Sequence, residues 1–321
     1  MPEIITLTLN PCIDRTIPEG READYTEQTG GKGVNVARVL TRLGVQCAAV
    51  VPLGRGENSA RFRALAAQEG VPLVESPVGF DVRRIDTYRA ADDSQRVVYA
   101  KGTDANVQEV EALRQALRSS LAGEKLLIVS GSAPGPMLGA FAGEAIRMAK
   151  EMGLETLLDS NGIALEAGFR AGPAMIKPNQ KELAQLVGRE IPEFEEDRAA
   201  EELLAQNFEN GLRSVVVSLG ARGALWAKEG ETLFCPAPKV REVNAVGSGD
   251  SFVAGLCRAL LCGHSDMGAL AMACAAGAAN AAVFPAAMIG PEQIQQAGAG
   301  ASVAQTPGLR EFLMISSMMG R

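Results

Sequence analysis

The sequence is poor in metal-binding side chains. It has one histidine, His264, and its six cysteines include no Cys-x-x-Cys pair. A structural zinc site needs closely spaced thiolate or imidazole ligands, so this composition argues against one. Scattered cysteines are typical of free thiols buried in a reducing compartment, which is what we expect here.

Long basic and long apolar runs are also missing. The net charge is −7 and no run of Lys or Arg is long enough to follow a phosphate backbone, which argues against nucleic acid as a partner. The first residues lack the basic start and apolar block of a signal peptide. The segment Ala269–Ala282 is mostly alanine and too short to span a membrane, so it predicts a buried helix. We expect no membrane partner and a cytoplasmic location.

Short apolar runs alternate along the chain with longer segments of helical periodicity. The chain has 321 residues, 47% of them apolar, which suits one domain with a large core, residues 1–321. The predicted strands are Ile4–Leu9, Cys47–Val51, Leu126–Ser130, Glu155–Leu158, Ala174–Ile176 and Ser214–Ser218. The predicted helices include Val34–Leu43, Arg61–Glu69, Val107–Leu121 and Pro136–Met152. This alternation predicts an α/β fold with a mostly parallel sheet covered on both faces.

Two regions interrupt the alternation, at about residues 12–30 and 81–103. In the second, Arg83–Ala90 and Gln95–Ala100 flank a turn-like Ala-Asp-Asp-Ser, which predicts an antiparallel hairpin. Both regions together are consistent with a small β-sheet inserted as a lid, and equally with edge strands of the main sheet. The last segment, Ser302–Arg321, is consistent with either a packed strand or a loose tail.

The strongest chemical motif is the glycine-rich turn Asn-Ala-Val-Gly-Ser-Gly-Asp that ends at Asp250 and leads into a helix. The free N–H groups at a helix start can hold an anion, here those of Gly247, Ser248 and Gly249. Asp250 in the first turn can accept a proton from a bound hydroxyl. A simple helix cap at Asp250 explains the motif alone equally well. The spacing matches neither a Walker P-loop nor a dinucleotide fingerprint.

A second glycine turn, Gly-Gly-Lys-Gly-Val-Asn at residues 30–35, also opens a helix. Lys32 is suited to a phosphate, and Asn35 to a sugar hydroxyl. Upstream, Asp14 in Asn-Pro-Cys-Ile-Asp is an acceptor suited to sugar hydroxyls. A purely structural turn is the alternative, and the upstream motif favours ligand binding.

These motifs, in this order, resemble the ribokinase-like (PfkB) carbohydrate kinases over nearly the full length. The Thr-Leu-Asn-Pro-x-Ile-Asp and Gly-Gly-Lys-Gly-x-Asn-Val-Ala-Arg segments are most similar to the branch of 1-phosphofructokinase and tagatose-6-phosphate kinase. The resemblance implies a three-layer α/β/α fold with a β-sheet lid. It also implies Asp250 as catalytic base, with the Gly247–Gly249 turn as its anion hole.

On the sugar side, the resemblance implies contacts from Asp14, Gly31, Lys32, Asn35 and Ser132. It further implies that Arg83, with Arg84 as its neighbour, reaches a substrate phosphate. Together with Lys101, these cations favour a phosphorylated sugar over a neutral one.

On the nucleotide side, the resemblance implies that Lys177 and Asn179 face the ATP phosphates, and that Asn179 with Glu182 organises Mg²⁺ and its waters. It also implies a loop at the nucleotide made by Ser218, Gly220 and Gly223, and Asn280 at the adenine. Relatives that bind a monovalent cation often have Asp six residues before the base. Here Asn244 stands instead, so the resemblance leaves a potassium site open.

The resulting hypothesis is an ATP- and Mg²⁺-dependent kinase of a phosphorylated ketohexose, with fructose 1-phosphate as first candidate. Tagatose 6-phosphate or fructose 6-phosphate comes second, and a free sugar or nucleoside third. A protein that binds sugar phosphate or nucleotide without turnover is the alternative of another class. A homodimer through the lid is predicted as well.

Overall fold

One large sheet runs through the chain and is parallel over most of its width. The computed structural model describes residues 3–90 and 95–298, and the backbone of residues 304–305. The sheet order is β14-β13-β12-β11-β10-β9-β8-β1-β4-β5. Its parallel part consists of β1 (Ile4–Leu7), β4 (Cys47–Leu53), β5 (Leu73–Pro77), β8 (Leu126–Gly131), β9 (Glu155–Ser160), β10 (Met175–Ile176) and β11 (Ser214–Ser218). An antiparallel extension follows, with β12 (Ala224–Lys228), β13 (Glu231–Cys235) and β14 (Ala304–Gln305).

Helices cover both faces of this sheet, because its strands are apolar on both sides. Ile5 of β1 packs into a core with one helical layer, and its neighbour Ile4 into a core with the other. The helices on the Ile5 side are α3 (Val107–Ser120), α4 (Pro136–Glu151), α5 (Gly162–Arg170), α6 (Gln180–Val187) and α7 (Glu196–Asn207). The helices on the Ile4 side are α1 (Lys32–Arg42), α2 (Glu57–Glu69), α8 (Ser248–Leu261), α9 (Asp266–Ala281) and α10 (Pro291–Gly298). The predicted three-layer α/β/α arrangement is confirmed.

The two interrupting regions form a four-stranded sheet of their own, in the order β3-β2-β6-β7. Its strands are β2 (Cys12–Pro18), β3 (Thr26–Gly30), β6 (Arg83–Arg89) and β7 (Gln95–Tyr99). β2 pairs parallel with β6, and the outer pairs are antiparallel. The edge-strand interpretation is therefore wrong, and the predicted hairpin is confirmed. Its turn lies outside the described residues, as does most of the segment 302–321.

The cysteines are free, as predicted, and five of the six are buried. Cys262 is the exception, because it follows the last residue of α8 and is exposed there. Within the described ranges, no helix is long and apolar enough to cross a membrane.

Candidate active site

A cleft of about 450 Å³ lies between the small sheet and the carboxyl ends of the central strands. The carboxyl edge of a parallel sheet is where loops and helix starts converge. Most of the predicted residues line this cleft: Asp14, Gly31, Lys32, Asn35, Arg83, Ser132, Lys177, Asn179, Ser218, Gly247, Gly249 and Asp250. A larger cleft of about 970 Å³, between α7 and the β12–β13 hairpin, contains none of them.

Asp250 does not cap its own helix. α8 begins after Gly247, whose φ of 83° lies in the left-handed region that favours glycine, and no side chain caps this helix start. The Asp250 carboxylate instead accepts a hydrogen bond of 2.7 Å from the Asn35 amide on α1. The cap interpretation of the motif is thus wrong, and the carboxylate faces the cleft.

Burial raises the pKa of the Asp250 carboxyl to about 6. Lys32 opposes this rise, the negative charge of Asp159 adds to it, and the Asn35 hydrogen bond and Lys177 lower the pKa again. A carboxylate with this pKa is mostly ionised at neutral pH and more basic than an ordinary aspartate. Both properties suit a general base.

Hydrogen bonds from Asn280 stabilise the glycine turn before Asp250. The Asn280 amide donates to the Val246 carbonyl (2.8 Å) and to the Ser248 hydroxyl (3.0 Å), and accepts from the Ala287 N–H (2.6 Å). Asn280 is fully buried and lines neither this cleft nor the neighbouring one. The structure therefore does not bring it to a nucleotide base, because its polar atoms are used to support the turn.

Within that turn, the backbone N–H of Ser248 donates to the Ala245 carbonyl (3.2 Å). Across the described residues no such bond is seen from the N–H groups of Gly247 or Gly249. Both glycines line the cleft. Two of the three predicted N–H groups thus remain for an anion, and Ser248 uses its own to shape the turn.

The sequence prediction missed Asp159, at the end of β9. This carboxylate is buried and lies 3.1 Å from the Lys177 ammonium and 3.4 Å from that of Lys32. Burial alone would raise the pKa of Asp159, but Lys177 and Lys32 outweigh it and hold the pKa below its ordinary value. In return, Asp159 holds the pKa of Lys32 above its usual range. The Lys32 ammonium is therefore charged, and Asp159 holds both lysine side chains in position.

The predicted sugar-side residues line the same cleft. Burial raises the pKa of Asp14, whose carboxylate accepts a bond from the Cys12 thiol (3.3 Å). Ser132 accepts from the Asn10 amide (3.2 Å), another residue that the prediction left out. Gly31 has a φ of 107°, and a Cβ there would lie 2.7 Å from Thr8 Cγ2, so the turn needs glycine.

Arg83 brings a positive charge into the cleft from the small sheet. The pairing of β2 with β6 sets Arg83 beside Cys12. Its Nη1 donates to the Ala100 carbonyl (3.2 Å), whereas its buried Nε has no hydrogen-bond partner in the part of the chain that the structure describes. Arg84 and Lys101 are exposed and do not line the cleft, so the structure favours Arg83 and removes Lys101 from the site.

A second cleft of about 870 Å³ adjoins the first and shares Asn179, Ser218 and Gly249 with it. Gly220 and Gly223 line it, as predicted, and helix α9 contributes Gly277 and Ala278. Its position beside the glycine turn is suited to a long ligand that reaches from this cleft into the first.

Asn179 and Glu182 form the start of α6. Asn179 accepts a bond from the Glu182 N–H (3.0 Å), and the Glu182 carboxylate accepts one from the Asn179 N–H (2.9 Å). This capping box accounts for both side chains structurally. Each also carries hard oxygen atoms of the kind that Mg²⁺ prefers. Asn179 lines both clefts and Glu182 lines neither, so Glu182 would reach a bound ion only through water.

Asn244 uses its side-chain oxygen within its own loop, where it accepts a hydrogen bond from the Val246 N–H (3.1 Å). It lines the first cleft but carries no charge. Among the described residues, no group of three or more His, Cys, Asp and Glu is arranged to hold a metal ion.

Comparison with known proteins agrees with this architecture. The model of the pfkB family carbohydrate kinases matches residues 4–287. A 1-phosphofructokinase of Vibrio cholerae serotype O1 is 31% identical over 267 residues, which cover 79% of this chain and 82% of that protein.

Solved structures give the same result. Phosphofructokinase-2 from Escherichia coli, in complex with potassium, superposes with a TM-score of 0.85 at 29% identity, covering 93% of this chain and 99% of that one. A ribokinase from Thermotoga maritima has the same fold, with a TM-score of 0.73 at 20% identity over 92% of this chain and 99% of its own.

Proposed function

Because the chain belongs to the pfkB family of carbohydrate kinases, we propose that it transfers the γ-phosphoryl group of ATP to a hydroxyl of a phosphorylated ketohexose. The observation that carries this proposal is the position of Asp250. Its carboxylate, with a raised pKa, lies at a glycine turn between two adjoining clefts. One cleft is suited to the sugar and the other to the nucleotide.

Fructose 1-phosphate is the preferred substrate and fructose 1,6-bisphosphate the product. The support is the similarity to a 1-phosphofructokinase and the cations Lys32 and Arg83 in the sugar cleft. Fructose 6-phosphate is the second candidate, since it is bound in a structure of the E. coli phosphofructokinase-2, which is 29% identical.

In the proposed reaction, Asp250 accepts the proton of the acceptor hydroxyl as its oxygen attacks the γ-phosphorus. The bond from that phosphorus to the bridging oxygen of ADP breaks. The N–H groups of Gly247 and Gly249, with Lys177, stabilise the charge that develops on the transferred group. The small sheet acts as a lid that excludes water, which would otherwise take the phosphoryl group.

Asn179 and Glu182 are the residues that would hold Mg²⁺. When bound, the ion would neutralise charge on the ATP phosphates. Because Asn244 is neutral and bonded within its loop, we do not assign a potassium site to this chain.

The lid also supports a proposal about assembly. β7 is an edge strand of the small sheet, and Val97, Val98 and Tyr99 on it are exposed by 36%, 45% and 68%, although Val97 and Tyr99 also line the first cleft. An exposed apolar edge of this kind favours association with a second copy. We propose a homodimer through the lid, one domain for residues 1–321, and a cytoplasmic location.

The product identifies the reaction. After incubation with Mg-ATP and fructose 1-phosphate, ³¹P NMR should show a second phosphate ester on the sugar in an amount equal to the ADP formed. Formation of ADP with inorganic phosphate and no new ester would contradict the transfer and indicate ATP hydrolysis.

A further inference from the structure

Arg38 is a fully buried arginine next to the proposed site. It lies on α1 and its Nε pairs with Glu69 of α2 at 2.9 Å. Its Nη2 donates to the carbonyl and, at 2.6 Å, to the hydroxyl of Thr29, which lies on lid strand β3. Thr29 in turn donates to Glu69 through its N–H (2.8 Å) and its hydroxyl. Arg38 thus joins α1, α2 and the base of the lid.

One more bond leads from Arg38 to the proposed base. Its Nη1 donates to Asn35 Oδ1 at 3.0 Å, and Asn35 Nδ2 donates to Asp250 Oδ2 at 2.7 Å. Arginine has only donors, so the end of the Asn35 amide that faces it must be the oxygen. The NH₂ end is therefore turned to Asp250.

We propose that Arg38 is a positioning residue that acts through Asn35, fixing its amide so that the NH₂ group faces the Asp250 carboxylate. The proposal rests on the assignment of Asp250 as the base. Without Arg38 the amide could rotate and present its oxygen to Asp250, which repels a carboxylate and favours a protonated acid.

The cost of burying Arg38 supports a specific role. A buried ion pair such as Arg38–Glu69 is weak evidence for stability, because desolvation offsets much of the attraction. The guanidinium is fully used, since Nη1 also approaches the Ala286 carbonyl (3.4 Å) in the loop that supports Asn280. A planar group with five donors can hold these partners at once, and lysine cannot.

Three charged groups act on Asp250 from different elements, and none of them changes in this proposal. Lys32 approaches from α1, Asp159 from the end of β9, and Lys177 from the segment after β10. These three would be unchanged by a substitution at Arg38. The expected effect therefore comes from the Asn35 hydrogen bond, which lowers the pKa of Asp250.

The test is a titration of the Asp250 carboxyl in the full-length protein without substrates, followed by ¹³C NMR of ¹³C-aspartate. The signal is assigned by its loss in Asp250→Asn. In Arg38→Met/Glu69→Gln, which removes both buried charges, we expect the pKa to rise by about one unit, the size of one hydrogen bond to a charged group. An unchanged pKa in this variant would overturn the proposal.

A double-mutant cycle separates action through Asn35 from a direct charge effect. Asn35→Ala alone should raise the Asp250 pKa, and adding Arg38→Met/Glu69→Gln to it should raise it no further. An equal rise in both backgrounds would show that Arg38 acts without Asn35.

Two further variants provide a second test of Arg38 and a matched control. Arg38→Lys retains the positive charge and is used if Arg38→Met/Glu69→Gln does not fold. It should also raise the pKa of Asp250. An unchanged pKa in this variant would overturn the proposal. Arg42→Met is the matched control, because Arg42 lies one turn further along α1 and donates to the Ile289 carbonyl (3.0 Å). It should leave the Asp250 pKa unchanged, and a rise equal to that of the Arg38 variants would overturn the proposal.

Because this titration needs no turnover, it tests the role of Arg38 separately from the proposed function. A wild-type protein that phosphorylates no sugar phosphate would refute the proposed function, while the carboxyl titration would still decide the role of Arg38.

Discussion

Lys32 and Asp159 lie 3.4 Å apart, although they belong to a helix start and a strand end that are far apart in the sequence. Lys177 contacts the same carboxylate at 3.1 Å. One buried acid therefore holds two ammonium groups, that of Lys32 at the start of α1 and that of Lys177 after β10, and both lysines line the first cleft. Two positive charges this close would repel each other without it.

We predict that Asp159→Asn lowers stability by about 3 kcal/mol, because removing one partner of a buried ion pair leaves uncompensated charge. The pKa of Asp159 is lowered in the folded protein. The contribution of Asp159 to the free energy of unfolding is therefore fully present above the ordinary carboxyl pKa. It is lost as the pH falls through the lowered pKa of the folded protein. In chemical denaturation, the difference in the free energy of unfolding between wild type and Asp159→Asn should be constant from pH 5 to 8. The surface variant Glu166→Gln is the control, and its free energy of unfolding should differ little from that of wild type. Equal stabilities at pH 7 would refute this role.

Asp250→Asn should lower kcat by roughly 10²- to 10⁴-fold, the usual contribution of a general base. The measurement is the steady-state rate of ADP release with sugar phosphate and Mg-ATP. Asp266→Asn is the matched control, since Asp266 also lies in the first turn of a helix, and it should retain the wild-type rate. A loss of less than tenfold in Asp250→Asn would exclude it as the base.

The pH dependence should follow Asp250. Since the base must be ionised and its pKa is raised to about 6, kcat/KM should fall as pH drops below that value. The substrate phosphate titrates in the same range, so its effect is measured separately, as the pH dependence of sugar-phosphate binding to Asp250→Asn. A profile that is flat from pH 5 to 8 after this correction would contradict the assignment.

Arg83→Ala should raise KM for the sugar phosphate by roughly 10- to 150-fold, as expected for a lost hydrogen bond to a charged group worth about 1.5–3 kcal/mol. KM for ATP should not change. Arg84→Ala removes the neighbouring, exposed arginine and serves as control. If both variants raise KM equally, the effect comes from the general positive charge of the lid and not from a contact of Arg83.

The proposed dimer should depend on the edge strand of the lid. Wild type should show twice the chain mass of 33.6 kDa in light scattering at micromolar concentration, and Tyr99→Asp should shift it toward the single chain. Val107→Asp changes an equally exposed apolar residue on α3 and should leave the mass unchanged. A wild-type mass of one chain would refute the lid dimer.

Local patterns in the sequence were sufficient to predict the main elements. All six predicted apolar runs became strands, Ser214–Ser218 with its predicted bounds and the others within about two residues of theirs, because a strand covered on both faces is mostly apolar. The Asp250 turn could also be recognised, since its glycines and the following helix are neighbours in the chain.

Contacts between distant segments could not be predicted in the same way. Asp159 belongs to no recognised motif, and its importance follows from two lysines that the fold brings to it. The only available signal was a polar residue at the end of a buried strand. The surroundings of Asn280 show the same limit, because the sequence does not reveal that Val246 and Ala287 bond its amide or that it lines neither cleft.

The most direct test of the account is ADP release, coupled to an indicator reaction, with Mg-ATP and a panel of fructose 1-phosphate, tagatose 6-phosphate, fructose 6-phosphate and the unphosphorylated sugars. We predict a high rate with one of the sugar phosphates, fructose 1-phosphate first, and little with any neutral sugar. Turnover of neutral sugars alone would contradict the phosphate-binding role of Lys32 and Arg83, and no turnover with any of them would support a protein that binds these ligands without catalysis.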